Sequence, residues 1–126
     1  MTRVERLGAE PYVSVATFRR DGTPVATPIW VVEDGDALVI WTPSDAGKVK
    51  RIRNNPKVTV TPCDVRGHLR GEPVEGRAEI RSDEYTDRIR RLLIKKYGLL
   101  GWLTVRGSVL RRGRHGTVAI SITLEP

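Results

Sequence analysis

The chain has 126 residues, 39% of them hydrophobic, which suits one domain with a real core and is short of the size at which chains usually split. Lysine and arginine number 22 against 15 acids, a net charge of +7, so the partners it favours are anionic: nucleic acid, a phosphorylated metabolite or an acidic surface. No run approaches the roughly 20 apolar residues of a membrane span, "MTRVERLGAEP" lacks the apolar stretch of a secretion signal, and the single cysteine, Cys63, cannot form an internal disulfide; a cytoplasmic protein without a membrane partner is expected.

Residues 12–18, "YVSVATF", alternate and are rich in β-formers. Asp21-Gly22 then signals a hairpin turn into 24–32, "PVATPIWVV", and "EDGD" (33–36) signals a second turn into 37–42, "ALVIWT". A three-stranded antiparallel meander is predicted. Pro28 falls in the middle of the second strand and has no N–H to give a ladder, so that position is either a sheet edge or a bulge.

A helix follows, with Ser44 and Asp45 as N-cap candidates, Val49 and Ile52 as a narrow apolar stripe, and Pro56 as its stop. "KVTVTPC" (57–63) returns to strand alternation, and "VRGHLRGEP" reads as a loop. "VEGRAEI" (74–80) is a further strand, where Gly76 marks a bend or a close approach. Residues 82–98 read as a helix capped by Ser82, acidic in its first turn, basic in its last and stopped by Gly98. Residues 99–116 carry no clear pattern, and "TVAISITL" (117–124) closes the chain as a strand. Six strands and two helices without βαβ alternation predict a mainly β, α+β domain spanning residues 1–126: a small antiparallel barrel with helices at its ends.

The chain's own side chains offer little chemistry. His68 and His115 stand in separate Gly/Arg-rich loops and read as solvated; neither shares a metal-ligand spacing with Cys63 or an acid. Asp64 beside Cys63 would raise the thiol pKa, which describes a packed, unreactive cysteine. No nucleophile elbow, P-loop or dinucleotide fingerprint occurs. No catalytic or metal-ligating residue is assigned, and an enzyme of this kind would rely on a bound cofactor.

The helix after residue 46 and the residues following it hold five cations and no acid: Lys48, Lys50, Arg51, Arg53 and Lys57. Three readings compete. A solvated face would normally mix signs, a nucleic-acid surface would track phosphates, and a phosphorylated small molecule would sit at Gly47 and the first-turn N–H groups with Lys48 alongside. Trp30, Trp41 and Thr42 stand close in sequence to Lys48, and two indoles with a hydroxyl suit a flat ring carrying an anionic tail. The third reading is favoured, and nucleic acid is not expected as the partner.

The segments "YVSVATFRRDGTPVATPIWVVEDGDALVIWT" and "GKVKRIRNNPKVTVTPCDVRG" resemble the split β-barrel, FMN-binding-like proteins of the pyridoxamine-phosphate-oxidase class, and within it the branch that uses the deazaflavin coenzyme F420. The DGTP hairpin with "TPIW", and the run from Thr42 through Lys48 to Pro56, are the most specific parts. The resemblance implies that Thr27, Pro28, Ile29 and Trp30 lie along the cofactor ring and that Trp41 and Thr42 continue that wall. It places the phosphate on Gly47 and Lys48, with Lys50 and Arg51 toward the phosphate or a polyglutamate tail. Pro62 and Cys63 would complete the pocket in a homodimer. It implies a reductase passing hydride from reduced F420 to a small electron-poor substrate, with an FMN-binding oxidoreductase or a non-catalytic cofactor carrier as alternatives. Pyridoxamine phosphate oxidation itself is not expected. The vitamin B6 oxidases carry basic residues on the second strand and an Arg/His-rich C-terminus, whereas here stand Thr27-Pro28-Ile29-Trp30 and "SITLEP".

Overall fold

A computed structural model describes residues 2–126. The element order is α1 (Arg3–Gly8), β1 (Val13–Phe18), β2 (Pro24–Ile29), β3 (Val31–Asp34), β4 (Ala37–Pro43), α2 (Gly47–Asn54), β5 (Lys57–Pro62), β6 (Val74–Ile80), α3 (Asp83–Arg112), a 3-10 turn at Arg114–Gly116, and β7 (Thr117–Leu124). Every named strand pairing is antiparallel.

Seven strands replace the expected six, because the run 24–32 divides at Trp30. Its first half pairs with β1 and its second half with β4. The sheet order is β2-β1-β5-β6-β7-β4-β3, so its two edge strands are consecutive in the chain. One residue joins opposite edges. The sheet must therefore curl round until they meet, and the predicted three-stranded meander becomes two hairpins on either side of the seam of a barrel. Pro28 lies on the edge strand β2 in unbroken register with Ser14, which selects the edge over the bulge. Both hairpin turns form as predicted, with Gly22 at φ 88° and Gly35 at φ 59°.

The pleat sorts the side chains. Val13, Val15, Leu38, Ile40, Val60 and Ile120 point into the barrel, and α2 closes one end with Val49 and Ile52 while α1 contributes Leu7. A second apolar layer lies outside: Val32, Val39 and Ala119 pack with Ile89, Leu93 and Val105 of α3. This is why β4 and β7 are buried almost throughout, despite their alternation. Gly76 answers to the predicted close approach, since a Cβ there would stand 2.8 Å from Ile122 and 2.9 Å from the Thr123 carbonyl.

α3 begins where Ser82 caps it, accepting from Tyr85 N. Gly98, at φ 62° and ψ −136°, breaks it into two arms, as the sequence predicts, but the unassigned residues beyond it form the second arm. Three long-range ties hold the layers. Lys96 Nζ donates to the carbonyls of Gly8, Glu10 and Val31 at 2.6–2.7 Å. Tyr97 stacks on Trp30 with centroids 4.2 Å apart, and its hydroxyl donates to the Pro11 carbonyl at 2.7 Å. Buried Arg90 donates to the Arg114 carbonyl and to Thr117 Oγ1, both at 2.7 Å. No described helix is long and apolar enough to cross a membrane.

Candidate functional site

The N-cap of α2 is Ala46, not Ser44 or Asp45, and no side chain caps the helix. Ser44 is used elsewhere: its hydroxyl donates to the His115 carbonyl at 2.8 Å and its N–H to the Gly116 carbonyl at 3.0 Å. The first-turn N–H groups of α2 are thereby left without a side-chain acceptor, as at a helix start that receives an anion.

Gly47, Lys48 and Arg51 meet at this end. Arg51 Nε donates to buried Thr17 Oγ1 at 2.7 Å. The guanidinium folds back over the first turn, so that a Cβ at Gly47 would lie 2.7 Å from Arg51 Nη1. Lys48 is half-buried. Burial, and then the neighbouring Arg51 charge, push its pKa below the ordinary lysine value. Neither cation has an acidic partner among the described residues. A phosphate at this point would offset both the burial cost and the repulsion, and the residues present fit such a group.

Lys50 diverges to the far flank of α2. There it shares a recess of about 570 Å³ with Phe18, Arg19, Arg20, Arg51 and Asn54. Four of these are cations and none is an acid. Arg19 and Arg20 are additions to the expected site; their signal in the sequence is the basic pair just before the Asp21-Gly22 turn.

The expected ring wall does not form as one surface. Thr27 and Ile29 share the inward face with Val15 and Val13, while Pro28 is exposed on the other side. The Thr27 hydroxyl oxygen is buried without a hydrogen-bond partner. Trp30 and Trp41 both join the outer layer beneath α3, where Tyr97 covers one indole and Trp41 Nε1 donates to Thr117 Oγ1 at 3.0 Å. Thr42 faces inward and is buried. Trp41 and Thr42 line a groove of about 430 Å³ whose other wall, Leu103, Ser108 and Arg111, comes from the second arm of α3. That wall has no signal in the sequence, because residues 99–116 carry no clear pattern of their own.

Pro62 and Cys63 lie by the start of β1, at the other end of that strand from the Arg51 contact. Pro62 pairs with Val13 and Arg51 reaches Thr17, which places them four strand residues apart, roughly 13 Å. Cys63 is buried, and burial followed by the charges of Asp64 and Glu10 pushes its thiol pKa up, in line with an unreactive cysteine. His68 and His115 are exposed, as expected, and each pairs with an aspartate: Asp64 at 3.0 Å and Asp83 at 2.7 Å. Among the described residues, no group of three His, Cys, Asp or Glu side chains could hold a metal ion.

The family model described as "Pyridoxamine 5'-phosphate oxidase" matches residues 3–125. No curated protein matches the chain. Among solved structures, an F420 reductase is 23% identical with a TM-score of 0.66, covering 100% of this chain and 96% of that one. A FAD-binding protein from Mesorhizobium loti is 20% identical, TM-score 0.63, covering 100% and 90%. The heme storage protein HutZ from Vibrio cholerae is 12% identical, TM-score 0.70, covering 98% and 88%. At these identities the likeness is one of fold.

Proposed function

The chain belongs to the pyridoxamine 5'-phosphate oxidase family, and from that premise we propose that it is an F420-dependent oxidoreductase acting on a small electron-poor substrate. The observation that carries the proposal is the uncapped start of α2, where Gly47, Lys48 and Thr17-oriented Arg51 converge without an acid. When bound, the deazaflavin would supply the hydride. The chain's part is to hold the phosphate at Gly47, Lys48 and Arg51, and to shield the reacting face from water. The recess of Arg19, Arg20 and Lys50 suits an oligoglutamate tail, which FMN lacks. The uncharged stretch Thr27-Pro28-Ile29-Trp30, on the strand where the vitamin B6 oxidases carry basic residues, argues against pyridoxamine phosphate as substrate. Pro62 stands beside Val13, about four strand residues along β1 from the Thr17 that Arg51 reaches, which favours a two-fold dimer in which one protomer's strand ends face its partner's phosphate site.

Mixing the protein separately with F420, FMN and heme, then ultrafiltering, tests this by the absorbance retained. Retention of F420 alone, with turnover of an electron-poor acceptor, is expected. Selective retention of FMN would move the reading to a flavin oxidoreductase, heme retention would overturn it, and F420 retention without turnover would make the protein a carrier. Sedimentation of the loaded protein as a monomer would remove the shared site.

A further inference from the structure

The second arm of α3 packs on the body through Gly101 and Val105, which are buried. Gly101 sits so close to the first arm that a Cβ would stand 2.8 Å from the Leu93 carbonyl. At 100° per residue, Leu99, Leu103 and Leu110 share the face turned away from that contact. They are 74%, 54% and 91% exposed, and Leu100 and Trp102 flank them at 59% and 45%. Exposed large apolar side chains are common singly, but a helical stripe of them marks a surface that is covered in use.

The charges beside the stripe identify the cover. Arg106 lies 5.9 Å from the Trp102 ring, Arg111 and Arg112 are exposed, and no acidic residue occurs between Asp87 and Glu125. Self-association through this face would bring together two surfaces that carry arginines and no acid of their own, so the positive charge would not be offset across it. An anionic lipid surface answers both chemistries at once: leucines and tryptophan enter the headgroup–acyl boundary while arginines meet lipid phosphates. At about 1.5 Å per residue the arm can lie in the interface but not cross it.

We infer that residues 99–112 dock this protein onto an anionic membrane surface. Leu103 belongs both to the stripe and to the wall of the Trp41–Arg111 groove, so docking sets that groove beside the lipid. The inference is independent of which cofactor the protein holds.

Co-sedimentation with vesicles tests it. The protein should partition onto equimolar phosphatidylcholine and phosphatidylglycerol, less so as salt is raised, and should stay in the supernatant with phosphatidylcholine alone. Leu99→Glu/Leu110→Glu should lower the partition coefficient at least tenfold with an unchanged circular dichroism spectrum, because both side chains are solvent-exposed. Arg111→Gln/Arg112→Gln should lower it and flatten the salt dependence. Failure of the wild type to sediment with the anionic vesicles overturns the inference, as does unaltered binding by the leucine variant. Conversion of a wild-type dimer to a monomer by Leu99→Glu/Leu110→Glu would assign the stripe to a second copy and also overturn it.

Discussion

Arg51 Nε donates to the Thr17 hydroxyl at 2.7 Å, and this bond holds the guanidinium over the first turn of α2. Thr17→Val removes the acceptor and keeps the volume. With about 1 kcal/mol of orientation lost, affinity for a phosphorylated cofactor should fall roughly fivefold by titration calorimetry. Unchanged affinity would mean that Arg51 does not meet the ligand.

Lys48→Ala removes a charge-assisted bond to the phosphate, worth about 1.5–3 kcal/mol, so cofactor affinity should drop roughly ten- to a hundredfold. The melting temperature without cofactor should hold or rise, since the substitution removes a half-buried cation that has no acidic partner. Arg53, exposed on the same helix, is the control, and Arg53→Ala should change affinity little. Equal losses would describe a diffuse positive field rather than a pocket.

Gly98 is in a conformation that L side chains rarely adopt, and a Cβ added there would meet nothing within 4 Å, so space is not the constraint. Gly98→Ala should cost about 1–3 kcal/mol through backbone strain alone. A lowered melting temperature, with cofactor retention unchanged in the folded protein, is the expected outcome. An unchanged melting temperature would show that the two arms can join through another geometry.

Burial pushes Tyr97 up to about 12 from the usual phenol value of 10.0, although its hydrogen bond from Val31 N–H pulls the other way. A raised folded-state value means the contribution is fully present below pH 10 and is lost as pH climbs toward 12. The difference in unfolding free energy between wild type and Tyr97→Phe isolates this group from others that titrate nearby. That difference should be constant up to about pH 10 and shrink above it. A difference that stays constant to pH 12 would mean the phenol titrates alike folded and unfolded.

Local chemistry carried much of the fold. Alternation with Asp21-Gly22 and "EDGD" specified both hairpins, Ser82 and Gly98 bounded the first arm of α3, and the acid-free run after residue 46, ended by Pro56, specified the basic helix α2. Each of these signals lies within a few residues of what it specifies, so each can be read from the chain alone. Other features depend on partners distant in sequence. Trp30 divides one β-rich run because its halves find different strands, and closing the barrel then turns Thr27 inward, Pro28 outward and Trp30 beneath Tyr97. Ser44 loses its capping role to the backbone at residues 115 and 116, seventy residues on. Residues 99–112 become helical against a body that supplies the contacts for Gly101 and Val105. Which residues converge on Lys48, and which face of the last helix stays bare, were decided by strand pairing and layer packing, whose energies exist only once the chain has closed on itself.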